Sequence, residues 1–91
     1  MTKIELVREI AAKTGLPSKD VMAKVESLME TLKTSMSEGE EVFLRGFGSF
    51  NIKHRADKTA RNISKNTTVI IPAHDIPSFR PAREFMEKLK G

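Results

Sequence analysis

The chain has 91 residues, no cysteine and a net charge of +4. This length allows one domain at most, and the lack of cysteine excludes disulfides and thiolate metal sites. The amino terminus does not resemble a signal peptide, and no stretch approaches the ~20 apolar residues of a membrane span, so the sequence predicts a soluble intracellular protein.

The charge is divided unevenly along the chain. Residues 1–41 hold six Lys/Arg against eight Asp/Glu, whereas residues 42–91 hold ten against four. A general excess of lysine would not separate in this way. The basic carboxyl-terminal half therefore predicts a polyanionic partner.

The first 39 residues predict two helices. Thr2 and Glu5 form a capping box, and Gly15 is placed to end the first helix. A second helix of about 19 residues, roughly 28 Å long, runs from near Ser18 to Gly39. The apolar stripes of this helix pair exceed what two helices can cover, and so small a core favours a homodimer.

A short strand, residues 42–44, and a Gly-Phe-Gly turn, residues 46–48, follow the helices. In the next strand Phe50 and Ile52 alternate with polar residues. The period of two gives this strand an apolar back and a basic front, formed by Asn51, Lys53 and Arg55.

Residues 55–71 predict a long two-stranded arm with its tip near residues 62–66. An isolated hairpin is marginal in water, so the arm needs a partner outside the fold. Its four cations oppose a single acid, Asp57, which favours nucleic acid as that partner. A solvated, disordered loop is the alternative. Pro72 and Pro77 restrict the returning strand to a sheet edge or a bulge.

Near the carboxyl terminus Pro81 suits the first turn of a last helix, whose apolar stripe is Phe85, Met86 and Leu89. His54 and His74 are lone histidines without a ligand cluster. No nucleophile–base pair or glycine-rich phosphate loop accompanies them. We therefore expect no metal, no cofactor, no small-molecule substrate and no enzymatic activity.

The motifs Gly-Phe-Gly-Ser-Phe at 46–50, Arg55, Arg61-Asn62 and Phe-Arg-Pro at 79–81 occur in an order that closely resembles the bacterial HU/integration host factor family. The resemblance covers essentially all 91 residues. It implies an α+β fold and an intertwined dimer whose β-arms embrace double-stranded DNA and bend it. This family is itself a standard example of minor-groove architectural binding.

The resemblance implies one domain, 1–91. A helical dimerisation half (1–39) precedes a sheet (40–81) with an arm at about 55–71, and a last helix (82–91) follows. Phe47, Phe50 and Phe79 match the aromatic core that the two subunits share. The residues that match DNA-contacting positions are Lys3, Lys53, Arg55, Lys58, Arg61, Asn62, Ile63, Ser64, Lys65, Asn66, Arg80 and Arg83.

The arm tip departs from the family pattern at two positions. Ile63 stands where the family usually has an intercalating proline, and Asn66 replaces a glycine. Isoleucine is also an apolar wedge, and asparagine tolerates positive φ. Ile63 is therefore a candidate intercalating residue, and the alternative is an exposed side chain that packs on its own hairpin.

Three functions remain open at this stage. The first is an architectural protein of the bacterial cytoplasm and nucleoid that bends and compacts double-stranded DNA with low sequence selectivity. The second is a site-selective DNA-bending protein like integration host factor, which Arg45 and Pro81 favour. The third is a structural dimerisation module that binds RNA or protein. The dimer is either a homodimer or a heterodimer with a paralogue.

Overall fold

The computed structural model describes residues 1–62 and 67–90, with the backbone alone at residues 60–62, 67 and 69. The chain divides into two compact units, Met1–Glu38 and Gly39–Gly91. The described residues form the predicted α+β combination of three helices and five strands. These elements are α1 (Lys3–Thr14), α2 (Ser18–Ser37), β1 (Val42–Leu44), β2 (Gly48–Arg55), β3 (Lys58–Asn62), β4 (Thr67–Ile71), β5 (His74–Pro81) and α3 (Arg83–Lys90).

The predicted ends of the first two helices are confirmed. The Thr2 hydroxyl accepts a hydrogen bond from the Glu5 N–H at 3.3 Å and caps α1. Gly15 ends this helix in the left-handed region, with φ of 75°. Pro17 is the N-cap of α2, so the helix starts at the predicted joint. Gly39 follows its last turn with φ of 89°.

The helical unit buries little apolar surface. Val7 and Val21 are 3% and 2% exposed, and they are the buried hydrophobic core of the part of the chain that the structure describes. Four other large apolar side chains of α1, α2 and their joint are more than a third exposed. This exposed apolar surface agrees with the predicted dimer, in which a second copy of the chain would cover it. The exposed residues are Ile4, Leu6, Leu16 and Leu28.

The second unit contains an antiparallel three-stranded sheet in the order β1-β2-β5. Phe50 on β2 is paired with Phe79 on β5, and their ring centroids are 5.0 Å apart. The Phe47 ring lies 5.2 Å from both the Phe79 ring and the Phe85 ring of α3. These four rings, here called the phenylalanine cluster, pack α3 against one face of the sheet. Phe47 and Phe79 remain 45% and 37% exposed in a single chain.

Two glycines shape the predicted turn between β1 and β2. The Phe47 N–H donates to the Leu44 carbonyl at 2.9 Å, and Gly46 has φ of 82°, as the third residue of a type II turn requires. Gly48 is needed for a different reason. A Cβ there would lie 2.5 Å from the Arg80 carbonyl oxygen and 2.6 Å from Cζ of Phe79. The edge strand β5 can approach β2 this closely because Gly48 has no side chain.

The arm is interrupted near its base. One antiparallel ladder joins β2 to β5 as far as Arg55 and His74, and a separate ladder joins β3 to β4 from Lys58 onward. Pro72 lies in the gap and has no N–H to donate. The Asp57 carboxylate supplies a substitute link, accepting the Ala73 N–H at 2.5 Å. The predicted return strand is therefore two strands, and β5 is an edge strand as Pro77 requires.

Pro81 does not start the last helix, and that expectation was wrong. It pairs with Gly48 as the final residue of β5. The Ala82 carbonyl then accepts the Met86 N–H at 3.1 Å, and α3 begins at Arg83. The predicted apolar stripe of α3 is incompletely covered in a single chain. Phe85 is half-buried, whereas Leu89 is 79% exposed.

Candidate nucleic-acid interface

The face of the β1-β2-β5 sheet opposite the phenylalanine cluster is here called the outer face. Residues that pair directly across an antiparallel sheet lie on the same face, and alternate residues of one strand share a face. Lys53 and Arg55 on β2 therefore point to the outer face, about 7 Å apart. Arg80 on β5 joins them, since it pairs with Ser49. The predicted basic front of β2 is confirmed, and all three cations are exposed.

The carboxylates of this region have partners of their own. Glu41 accepts the Ile52 N–H at 3.1 Å. Asp57 binds the Ala73 N–H, and Asp75 contacts Nδ1 of His54 at 2.9 Å on the opposite face of the sheet. Within the described part of the chain, no ion pair engages the three outer-face cations. Their positive field is therefore available to a polyanion.

Two other predicted contact residues are already paired. Lys3 in the helical unit forms an ion pair with Glu26, and Arg83 Nε lies 3.2 Å from an oxygen of Glu87 one turn along α3. Exposed ion pairs of this kind contribute about 0–1 kcal/mol. Exchanging the carboxylate for a phosphate would therefore cost little.

The structure describes only part of the arm. Lys58 is exposed on β3 and pairs with Ile71. The backbones of Arg61 and Asn62 pair with β4, but their side chains lie outside the described residues. The predicted tip contacts lie outside them entirely, and these are Ile63, Ser64, Lys65 and Asn66.

Sequence reasoning missed three features of this unit. Asp57 holds the base of the arm, and Asp75 is the partner of His54, a pairing that the prediction of a histidine without a ligand cluster did not specify. An acid beside the predicted arm base was the available signal for Asp57. The third feature is Phe43, which is 74% exposed on the outer face. Its alternation with Val42 and Leu44 was the signal for that orientation.

The same part of the chain lacks the features of a metal site and of a membrane-spanning helix. The described residues contain no group of three or more His, Cys, Asp or Glu side chains that could hold a metal ion. None of their helices has the length and apolar character needed to cross a membrane.

The geometry agrees with comparisons with known proteins. A sequence model described as "Bacterial DNA-binding protein" matches residues 1–90. Integration host factor subunit beta of Marinobacter nauticus is 43% identical over 90 residues, which are 98% of this chain and 92% of that protein. DNA-binding protein HU of Thermotoga maritima is 34% identical over 90 residues, covering 99% of this chain and 100% of that protein.

A solved structure extends the similarity to three dimensions. An Anabaena HU–DNA cocrystal structure matches with a TM-score of 0.93 and 36% identity, covering 98% of this chain and 97% of that chain. The sequence model spans both units and the arm. The chain therefore belongs to the bacterial DNA-binding protein family, to which its sequence motifs pointed.

Proposed function

We propose that this protein is an architectural double-stranded DNA-binding protein that bends and compacts DNA with low sequence selectivity. As a member of a family of DNA-binding proteins, it is not an enzyme. The observation that carries the proposal is the outer face, which Lys53, Arg55 and Arg80 share and on which no carboxylate of the described residues forms an ion pair with them. Bending by this protein, as opposed to simple coating of DNA, is the part that needs direct measurement.

The proposed contact set includes the helical unit, the sheet and the arm. Cations of the arm and the outer face would bind phosphates and enter the minor groove, and the residues at the arm tip would contact base edges and sugars. The set is Lys3, Lys53, Arg55, Lys58, Arg61, Asn62, Ile63, Ser64, Lys65, Asn66, Arg80 and Arg83.

The binding energy in this mechanism comes mainly from the backbone of DNA. Each cation that neutralises a phosphate releases condensed counterions, so affinity falls as salt rises. Selectivity then comes from the energy needed to deform a given DNA sequence. Flexible pyrimidine–purine steps would be preferred positions for a kink, without a direct reading of bases.

The proposal includes a homodimer. A single chain leaves Phe47, Phe79 and Leu89 partly or largely exposed, and Val7 and Val21 are the buried apolar side chains of the described part. A second copy would cover this apolar surface, and a heterodimer with a paralogue would do so equally.

In this arrangement residues 1–91 act as one domain, with 1–39 as the dimerisation half, 40–81 as the sheet with its arm at about 55–71, and 82–91 as the last helix. The expected location is the nucleoid in the bacterial cytoplasm.

The experiment uses a duplex of about 35 base pairs with a donor dye and an acceptor dye at its two ends. Such a duplex is much shorter than the ~150-base-pair persistence length of DNA, so its ends stay apart unless a protein bends it. We expect energy transfer to rise on binding and affinity to fall between low and moderate salt. Binding without approach of the ends would refute bending, and binding unaffected by salt would refute the phosphate-dominated mechanism.

The same duplex tests the proposed wedge at the arm tip. Ile63→Ala should reduce the rise in energy transfer at saturation more than it reduces affinity, because an intercalating side chain acts on the kink. Ile63→Pro is the matched control, since it retains an apolar wedge and should retain bending. An equal loss of bending and affinity in Ile63→Ala would count against intercalation.

One observation favours a site-selective protein as the second candidate. Arg45 is exposed at the second position of the Leu44–Phe47 turn, adjacent to the outer face. A competition between random duplexes and a panel of defined sites separates the two candidates. Low selectivity predicts similar competition by all duplexes, whereas site selectivity predicts a difference of at least ~1000-fold. A duplex RNA competitor tests the third alternative, because its minor groove is wider and shallower.

A further inference from the structure

Phe43 has an unusual environment for a phenylalanine. It lies on the short edge strand β1 and is 74% exposed. Its partner across the sheet is Ser49, which in turn pairs with Arg80 on β5. Phe43, Ser49 and Arg80 therefore form one row across the outer face. Together with Arg45, this row lines a shallow depression at the end of the sheet.

The fold does not account for this side chain. The phenylalanine cluster that packs α3 lies on the opposite face of the sheet, and Phe43 contributes no ring to it. The nearest acid along the strand is Glu41, whose carboxylate is held by the Ile52 N–H. Phe43 is thus an exposed apolar side chain on the edge strand of the face that we assign to DNA, with Arg45 two residues further along the chain and Arg80 two strands away.

We propose that Phe43 is a direct apolar contact to double-stranded DNA, which adds a binding term that does not depend on charge. This inference rests on the proposed function. In the complex the phenyl ring would pack against the C–H edges of deoxyribose beside the minor groove, and Arg45 and Arg80 would bind nearby phosphates. The apolar sugars and the anionic phosphates of the backbone are the chemical counterparts of the ring and the cations on this face.

The dependence of affinity on salt separates this contact from an ionic one. An apolar contact does not change the number of counterions that are released when the protein binds DNA. Phe43→Ala should therefore lower affinity by about tenfold (~1.4 kcal/mol) at every salt concentration. The slope of log affinity against log salt should not change. Arg80→Ala is the matched comparison, since loss of one phosphate contact should reduce that slope by about 1. Phe43→Leu should retain most of the affinity.

The measurement is fluorescence anisotropy of a labelled duplex at five salt concentrations, with wild type and the three variants. Thermal unfolding and sedimentation are recorded for each protein without DNA.

Failure of wild type to bind DNA would refute the proposed function itself. Normal binding by wild type with affinity of Phe43→Ala within about twofold would refute the apolar contact alone. A Phe43→Ala protein that dissociates into monomers or unfolds at a lower temperature would also overturn it, because Phe43 would then belong to the fold or the subunit contact. Phe43→Leu, which keeps apolar volume, provides the test of DNA contact in a folded dimer.

Discussion

The substitution Gly48→Ala tests how the sheet positions the outer-face cations. Gly48 is buried where β2 meets the end of β5. An added Cβ would lie 2.5 Å from the Arg80 carbonyl oxygen and 2.6 Å from the tip of the Phe79 ring. The ring could rotate slightly, but the carbonyl belongs to the backbone of the neighbouring strand. The added methyl group therefore forces β2 and β5 apart at this end.

Two opposing effects determine how much Gly48→Ala changes the free energy of unfolding. Replacing glycine by alanine reduces the entropy of the unfolded chain and favours the folded state by about 0.4–1 kcal/mol where the backbone conformation suits both residues. Overpacking a close contact costs about 1–3 kcal/mol, and this contact involves backbone. We therefore expect a net loss in the free energy of unfolding of about 1–2 kcal/mol. For a domain of this size that loss lowers the melting temperature by roughly 4–16 °C.

The assay is thermal and urea denaturation followed by circular dichroism, with all proteins at one concentration because a dimer's stability depends on concentration. Lys53→Ala is the control within the same strand, since it changes an exposed residue of β2 on the outer face. Phe79→Leu combined with Gly48→Ala should recover only part of the loss, because the Arg80 carbonyl remains. A Gly48→Ala protein as stable as wild type would show that the close approach of β5 to β2 is not required.

Three smaller predictions concern the cations, the arm base and the first helix. Lys53→Ala should reduce the slope of log affinity against log salt by about 1 on every DNA sequence, whereas Lys33→Ala on α2 should leave this slope unchanged. Equal effects of the two substitutions would argue against the outer face as the surface that binds DNA. Asp57→Ala should speed hydrogen exchange of the residue 73 amide by about fivefold, because a net hydrogen bond contributes about 1 kcal/mol. Asp57→Asn keeps an oxygen acceptor and should not speed this exchange. Identical exchange rates in the two variants would exclude the hydrogen bond between residues 57 and 73. Thr2→Ala should cost about 1 kcal/mol of stability in urea denaturation and Thr2→Ser much less, unless the cap is absent in solution.

Local chemistry made much of this fold predictable. The capping box at Thr2 and the glycines at 15 and 39 are short-range signals, and the structure has helix ends at these places. The alternation of apolar and polar residues along β2, which puts Phe50 and Lys53 on opposite faces, was predictable for the same reason, because the period of two is a property of the strand itself. The Gly-Phe-Gly turn needed only the preference of Gly46 for positive φ.

Features that depend on distant residues were not predictable. At the interruption of the arm, Asp57 binds the N–H of Ala73, sixteen residues further along the chain and next to Pro72, and neither Asp57 nor Pro72 alone indicates where the ladder breaks. Pro81 is compatible with a helix start and with an edge strand, and its pairing with Gly48 decided between them. Sequence analysis therefore located the basic face but could not show which acids were already engaged.

The arm and the sheet present cations in physically different ways. In the sheet, the phenylalanine cluster fixes one face of β2, and a period of two then leaves Lys53 and Arg55 no orientation except outward. A shift of one residue would bury both cations, so the core specifies the binding face. Beyond the break at residues 56–57 and 72–73 the ladder of β3 and β4 forms a sheet of only two strands. Two strands bury no core, and Ile70 is 71% exposed on this ladder. In the proposed complex, the sheet thus offers DNA a face that its own packing has already fixed, whereas the arm gains a second face only when the minor groove contacts it.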